Sequence, residues 1–139
     1  MTKMENVKAK IADDMHNRKY NCCQSVACAF ADELGVNMQT LFKAGEGFGF
    51  GMGGMQGICG ALSGACIVAG FYSSDGDLED PKTKKHTTAL ALEMSKRFQE
   101  KTGALICRDL KGADTGVVLC TCPNCIKAGV EVVQEVLGL

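Results

Sequence analysis

The chain has 139 residues, 15 Lys+Arg against 16 Asp+Glu, and a formal net charge of −1. That length suits one domain with a real core, and the charge balance excludes a general electrostatic footprint for nucleic acid or an anionic membrane. Apolar residues at 46% and charged residues at 22% exclude disorder, and 6% aromatics argue against stacking platforms for single-stranded nucleic acid.

Met4, Val7, Ile11 and Met15 recur at spacings of three and four, which predicts an amphipathic helix over residues 3–17. Asn21 is a good N-cap for a second helix over 22–34 carrying Val26, Ala29, Phe30 and Leu34, with Gly35 as its stop. Asn37 caps a short third helix through Ala44. Half of the sixteen residues from Gly45 to Gly60 are Gly, so a compact loop is expected there. A small-residue helix follows over 58–71, then a polar loop over 73–82, and then a helix over 84–101 with Leu90, Met94 and Phe98 on one face. Cys107 to Gly112 reads as a single turn with a Gly stop, and Pro123 suits the first turn of a last helix through Leu137. No strand alternation of useful length and no internal repeat are present. The expected fold is all-α, a compact irregular bundle of five or six helices with a Gly-rich loop, and a single domain over residues 1–139.

No charge falls between Glu46 and Asp75, but the strongly apolar part near 58–72 is short of the ~18–20 residues a membrane span needs. Its flanks are not basic, so a buried central helix is the better reading and no membrane association is expected. Gly57, Gly60, Ala61, Gly64 and Ala65 form a small-residue stripe that lets a neighbouring helix approach closely, which makes a homodimer reasonable. The N-terminus carries no apolar signal-peptide core, so a cytoplasmic location is expected, where thiols stay reduced unless they turn over.

Nine Cys is an odd number, so no framework within one chain can pair them all. Cys22, Cys59, Cys107 and Cys122 each fall at the start of an expected helix, where unpaired N–H groups and the positive dipole end favour the thiolate. The thiolate is both nucleophile and metal ligand. Cys120, Cys122 and Cys125 crowd together, and Cys122-x-x-Cys125 has the spacing of redox dithiols and metal knuckles, though without a thioredoxin-like βαβ context. Cys125 alternatively just faces solvent or a neighbouring helix. Cys28 and Cys66 suit packing, and Cys23 is open. Gly49-x-Gly51-x-x-Gly54 matches a dinucleotide fingerprint only literally, because no strand precedes it. The loop serves close backbone approach around Cys59, and N–H groups of Gly53, Gly54 and Gly57 are candidates to stabilise a thiolate or cluster sulfur. His16 and His86 read as surface residues rather than ligands.

Asn21-Cys22-Cys23-Gln24-Ser25-Val26, the Gly-rich segment leading into Cys59-Gly60-Ala61-Leu62-Ser63-Gly64-Ala65, then Gly103, Cys107-Arg108-Asp109-Leu110 and a late Cys before an apolar helix form an ordered set. It resembles the bacterial and archaeal C_GCAxxG_C_C family, over about residues 20–137. The central motif here reads Cys-Gly-Ala where the family name reads Gly-Cys-Ala. Cys120, Cys122 and Cys125 compete for the last position, and Cys122 fits best because Ile126 then takes the apolar place four residues on. The resemblance implies a small helical protein with four functional Cys engaged in redox or metal chemistry, related to domains found beside electron-transfer modules.

The leading expectation is therefore a redox-active protein that gathers Cys22, Cys59, Cys107 and Cys122 into one site. The thiolates either hold an iron–sulfur cluster or another metal and pass electrons to a protein partner, or cycle through disulfides, with Cys23, Cys120 and Cys125 secondary. A structural zinc module is a rival, disfavoured because only one Cys-x-x-Cys pair exists. A non-catalytic interaction domain with packed Cys is another. Whether the chain is an enzyme does not follow from these residues.

Overall fold

Three of the helices begin at asparagines whose side chains satisfy N–H groups that a helix start leaves unpaired. The computed structural model describes residues 6–139. Asn6 Oδ1 accepts from the Ala9 N–H at 3.1 Å and starts α1 (Val7–Asn17). Asn21 starts α2 (Cys22–Ala29) with a full capping box: its Oδ1 accepts from the Gln24 N–H at 2.8 Å, and its own N–H donates to Gln24 Oε1 at 2.9 Å. A separate turn, α3 (Ala31–Leu34), follows and stops at Gly35 in the left-handed region, φ 64°. Asn37 then caps α4 (Met38–Gly45), accepting from the Gln39 N–H at 2.8 Å.

The Gly-rich segment forms a 3-10 turn over Glu46–Phe48 and a wide turn over Gly51–Met55, with no regular helix or strand through it. Phe50, Met52 and Met55 there hold positive φ of 58°, 60° and 63°. The chain continues through α5 (Gly60–Ser73), α6 (Lys84–Thr102), α7 (Cys107–Lys111) and α8 (Cys122–Leu137). Left-handed Gly103, Gly112 and Gly138 end the last three.

The class is all-helical, as expected, but the described residues hold eight α-helices rather than five or six. The helix expected over 22–34 breaks at Phe30, whose φ of −105° and ψ of 13° leave the helical range and turn its N–H to the Ala27 carbonyl. The turn at Cys107 is also a short helix in its own right. A second difference concerns α1. Val7 is 68% exposed and Ile11 37%, while Ala9, Ala12 and Met15 are buried. The helix lies against α2 and α8, and its small residues face that close contact. Met4 lies outside the described residues.

The core is built where α5 meets α2, α6 and α8, from Phe30, Leu62, Met94, Phe98, Ile126 and Val130 among others. The small-residue stripe operates inside the chain. A Cβ on Gly64 would fall 2.6 Å from the Cys23 carbonyl oxygen, and one on Gly129 would fall 2.8 Å from that of Ala61. The stripe is thus covered by α2 and α8 of the same chain. Among the described residues, no helix is long and apolar enough to cross a membrane.

Candidate functional site

Cys22, Cys107 and Cys122 are the first residues of α2, α7 and α8, and Cys59 is the residue that caps α5. Backbone pairing brings these starts together. Ile58 and Ile106 form an antiparallel bridge. Beside it the Cys59 N–H donates to the Leu105 carbonyl at 2.8 Å and the Cys107 N–H donates to the Gly57 carbonyl at 2.9 Å. The end of α7 is tied to the approach to α8, because the N–H groups of Leu119 and Cys120 both donate to the Leu110 carbonyl, at 2.9 and 3.2 Å. Two glycines let the segments close up. A Cβ on Gly51, which has φ of 58°, would sit 2.5 Å from Cys107 Cβ. A Cβ on Gly60 would sit 3.3 Å from Cys22 Cβ, so the starts of α2 and α5 touch.

The thiols fall into two neighbouring pairs, in each of which one thiol shifts the other. The outer pair is Cys22 and Cys122, both half-buried. The Lys111 ammonium donates to Cys122 Sγ, and the Cys22 thiol neighbours the same sulfur. The neighbouring Cys22 thiol and the Lys111 ammonium together outweigh burial and draw the Cys122 thiol down to about 5, from an ordinary value of 9.0. His16, on α1, adds positive potential. Cys22 moves the other way: the neighbouring Cys122 and its own burial keep it protonated. Lys111 is half-buried yet held charged, because its bond to Cys122 and the neighbouring Cys22 and Cys107 sulfurs outweigh the cost of burial.

The inner pair is Cys59 and Cys125, 3% and 0% exposed. The neighbouring Cys125 thiol draws the Cys59 thiol down to about 7, against burial and with help from Lys111 and the N–H groups of Ala61 and Leu62. Those N–H groups favour the thiolate through their dipoles, since Cys59 Sγ makes no capping hydrogen bond of good geometry. Cys125 itself is pushed up by the neighbouring Cys59 and by burial, and its thiol donates to the Cys120 carbonyl at 3.7 Å. Cys107 is buried beside both pairs. Burial raises its thiol, while Lys111 lowers it and the charges of Cys59 and Cys122 raise it.

The other predicted residues scatter. Gly57 takes part through its carbonyl, but its N–H donates to the Gly51 carbonyl at 3.0 Å rather than to a sulfur. Gly53 and Gly54 stand clear, with nothing within 4 Å of where a Cβ would lie. Cys23 packs under Gly45, and burial lifts its thiol to about 12. Cys28 is buried, which lifts it to about 11. Cys66 and Cys120 are half-buried and raised by burial. Sequence reading missed Lys111. One signal was present: it lies four residues after Cys107 in a turn already singled out. The partnership of Cys125 with Cys59 joins residues 66 positions apart and has no local signal.

Four Cys thiolates are the donor set an iron–sulfur cluster or zinc would take. Among the described residues, no group of three or more His, Cys, Asp or Glu side chains is spaced to hold a metal ion. No curated protein and no solved structure matches the chain. A family model described as "Putative redox-active protein (C_GCAxxG_C_C)" matches residues 20–136, and the chain belongs to that family.

Proposed function

We propose that the protein exchanges thiols with disulfides through Cys122 and Cys22. The observation that carries this reading is the environment of Cys122 Sγ at the start of α8, where it accepts from the Lys111 ammonium and has the Cys22 thiol as neighbour. A thiolate so held is the attacking group, and the protonated thiol against it is the resolving group.

The exchange balances without a further reagent. The Cys122 thiolate attacks one sulfur of a substrate disulfide, and the other substrate sulfur leaves as a thiolate. Cys22 then loses its proton to that leaving thiolate and attacks Cys122 Sγ. The Cys22–Cys122 disulfide forms and the second substrate sulfur leaves. The substrate has gained two electrons and the pair has lost two. An external dithiol restores the reduced pair by the same exchange in reverse. Lys111 stabilises the Cys122 thiolate before attack and again when Cys122 leaves.

Alkylation of the reduced protein with iodoacetamide, followed by mass spectrometry of each Cys peptide, tests the assignment. Cys122 is expected to react ahead of the other eight, with a rate that falls below a midpoint near pH 5. Anaerobic preparation that yields stoichiometric iron and acid-labile sulfide, lost on changing any of the four motif Cys to Ser, overturns this reading in favour of a cluster.

A further inference from the structure

We infer that the disulfide exchanged at Cys122 belongs to a polypeptide with uncharged, apolar residues around its cysteine, and that the Gly-rich segment and residues 117–119 are the surface that holds this chain. The inference rests on the reading of Cys22 and Cys122 just given and names its substrate class. Three observations carry it. The first is placement. Both segments pack on α7, the helix whose Lys111 donates to Cys122 Sγ. Gly51 lies at its first residue, where a Cβ would come 2.5 Å from Cys107 Cβ. The other segment lies at its end, with the Leu119 N–H donating to the Leu110 carbonyl and the Val117 carbonyl packed over Gly112.

The second is what these segments present to solvent. Phe50, Met52, Val117, Val118 and Leu119 are each more than half exposed, and apolar side chains gathered in this way mark an interaction surface. Phe50 and Met52 are displayed from positive φ, a backbone region that large side chains seldom occupy. The surface also reaches Cys22: the Phe48 carbonyl oxygen and Cys22 Cβ lie 3.1 and 3.3 Å from where a Cβ on Gly60 would be. Phe48 in turn walls a hollow of about 530 Å³ with Ala44, Ile67 and Phe71. That hollow is room for apolar side chains of a chain that runs on past its disulfide. The third is charge. No charged residue falls from Gly47 through Ser74 or from Thr115 through Ile126. On α7, Lys111 is engaged by Cys122, and Arg108 is held by Asp114 at 2.9 and 2.8 Å. Lys101 and Lys127 stand beside Val118 and Leu119, but Glu131 lines the same hollow and Lys101 pairs with Glu135 at 2.7 Å. A carboxylate-rich small disulfide such as oxidised glutathione therefore meets little uncompensated positive charge, whereas an uncharged apolar chain meets its complement.

The reduced, full-length protein is mixed with each of three disulfides: the dimer of a capped pentapeptide with valines on both sides of its cysteine, the same dimer with glutamates in place of the valines, and oxidised glutathione. Formation of Cys22–Cys122 is followed by acid quench, alkylation and mass spectrometry. Each rate is divided by the rate of the same disulfide with mercaptoethanol, which removes its intrinsic reactivity. So normalised, the valine dimer is expected to react about tenfold faster than either charged probe, the effect of burying part of one or two valine side chains. In the double variant Phe50→Asn, Val118→Ser that ratio is expected to fall toward one. Asn tolerates positive φ, and a ratio taken within one protein cancels a general loss of reactivity. The wild-type comparison needs no variant to fold. Equal normalised rates for all three probes, or a faster reaction with a charged one, overturn this inference and leave the proposed function standing. A valine preference undiminished in the variant overturns the assignment to these segments. No Cys22–Cys122 disulfide with any probe overturns the proposed function, and this inference with it.

Discussion

Lys111 sets the chemistry of the outer pair at the scale of one residue. Its ammonium is half-buried, so its field on the Cys122 sulfur is screened less than that of a surface lysine. Lys111→Met keeps a similar length and apolar stem and removes the charge. The midpoint of Cys122 alkylation is expected to rise from about 5 toward the ordinary 9.0, because the thiolate loses its counter-charge. The sign is fixed: a cation lowers a thiol, so its removal raises it. A purely structural role for Lys111 would lower the melting temperature and leave that midpoint in place. Helix starts at the four motif cysteines were legible in the sequence because caps and stops are local chemistry. Lys111 on Cys122 and Cys125 on Cys59 were not, because each contact depends on how separate helices are brought together.

Among the elements, α2 is the one whose start most directly positions a thiol. Asn21 accepts from Gln24, and its Nδ2 donates to the carbonyls of Gly45 and Glu46 at 3.3 and 3.0 Å. One side chain therefore fixes both the first turn that carries Cys22 and the entrance of the Gly-rich segment. A Cβ on Gly49 would lie 2.6 Å from Asn21 Nδ2, so that segment closes directly over the cap. Asn21→Ala is expected to cost about 1 kcal/mol from the cap alone. Urea unfolding measures that cost, and the same variant is expected to form the Cys22–Cys122 disulfide more slowly. The capping asparagines and the stops at Gly35 and Gly112 were readable ahead of the structure. The packed face of α1 was readable only at Met15, which is buried. Periodicity pointed to Val7 and Ile11, but close approach to α8 selects small residues over large ones, and Ala9 and Ala12 are what it buries.

Across the whole molecule, α5 is the shared wall of core and site, and glycines on it and on α8 decide how close the helices come. Two substitutions with the same chemistry should differ in sign. Ala at Gly70 meets nothing within 4 Å and gains helix propensity, so Gly70→Ala is expected to stabilise by up to about 1 kcal/mol. Ala at Gly129 gains the same propensity but would lie 2.8 Å from the Ala61 carbonyl oxygen and 3.0 Å from Val26 Cγ2. Backbone must move there, at about 1–3 kcal/mol, so Gly129→Ala is expected to destabilise on balance. Paired denaturant curves check both. The Gly-rich composition was visible from the start, but which glycines are obligatory is a property of helix separation, and only the assembled bundle shows it.

The bridge between Ile58 and Ile106 has a consequence for watching the protein at work. The two amides it anchors belong to Cys59 and Cys107, and each donates across the join between the loops that lead into α5 and α7. Any parting of those loops exposes both protons to solvent together. Deuterium uptake at these two positions is therefore a built-in gauge of how often the join beside the thiols opens, and it requires no alkylating agent and no change to any sulfur.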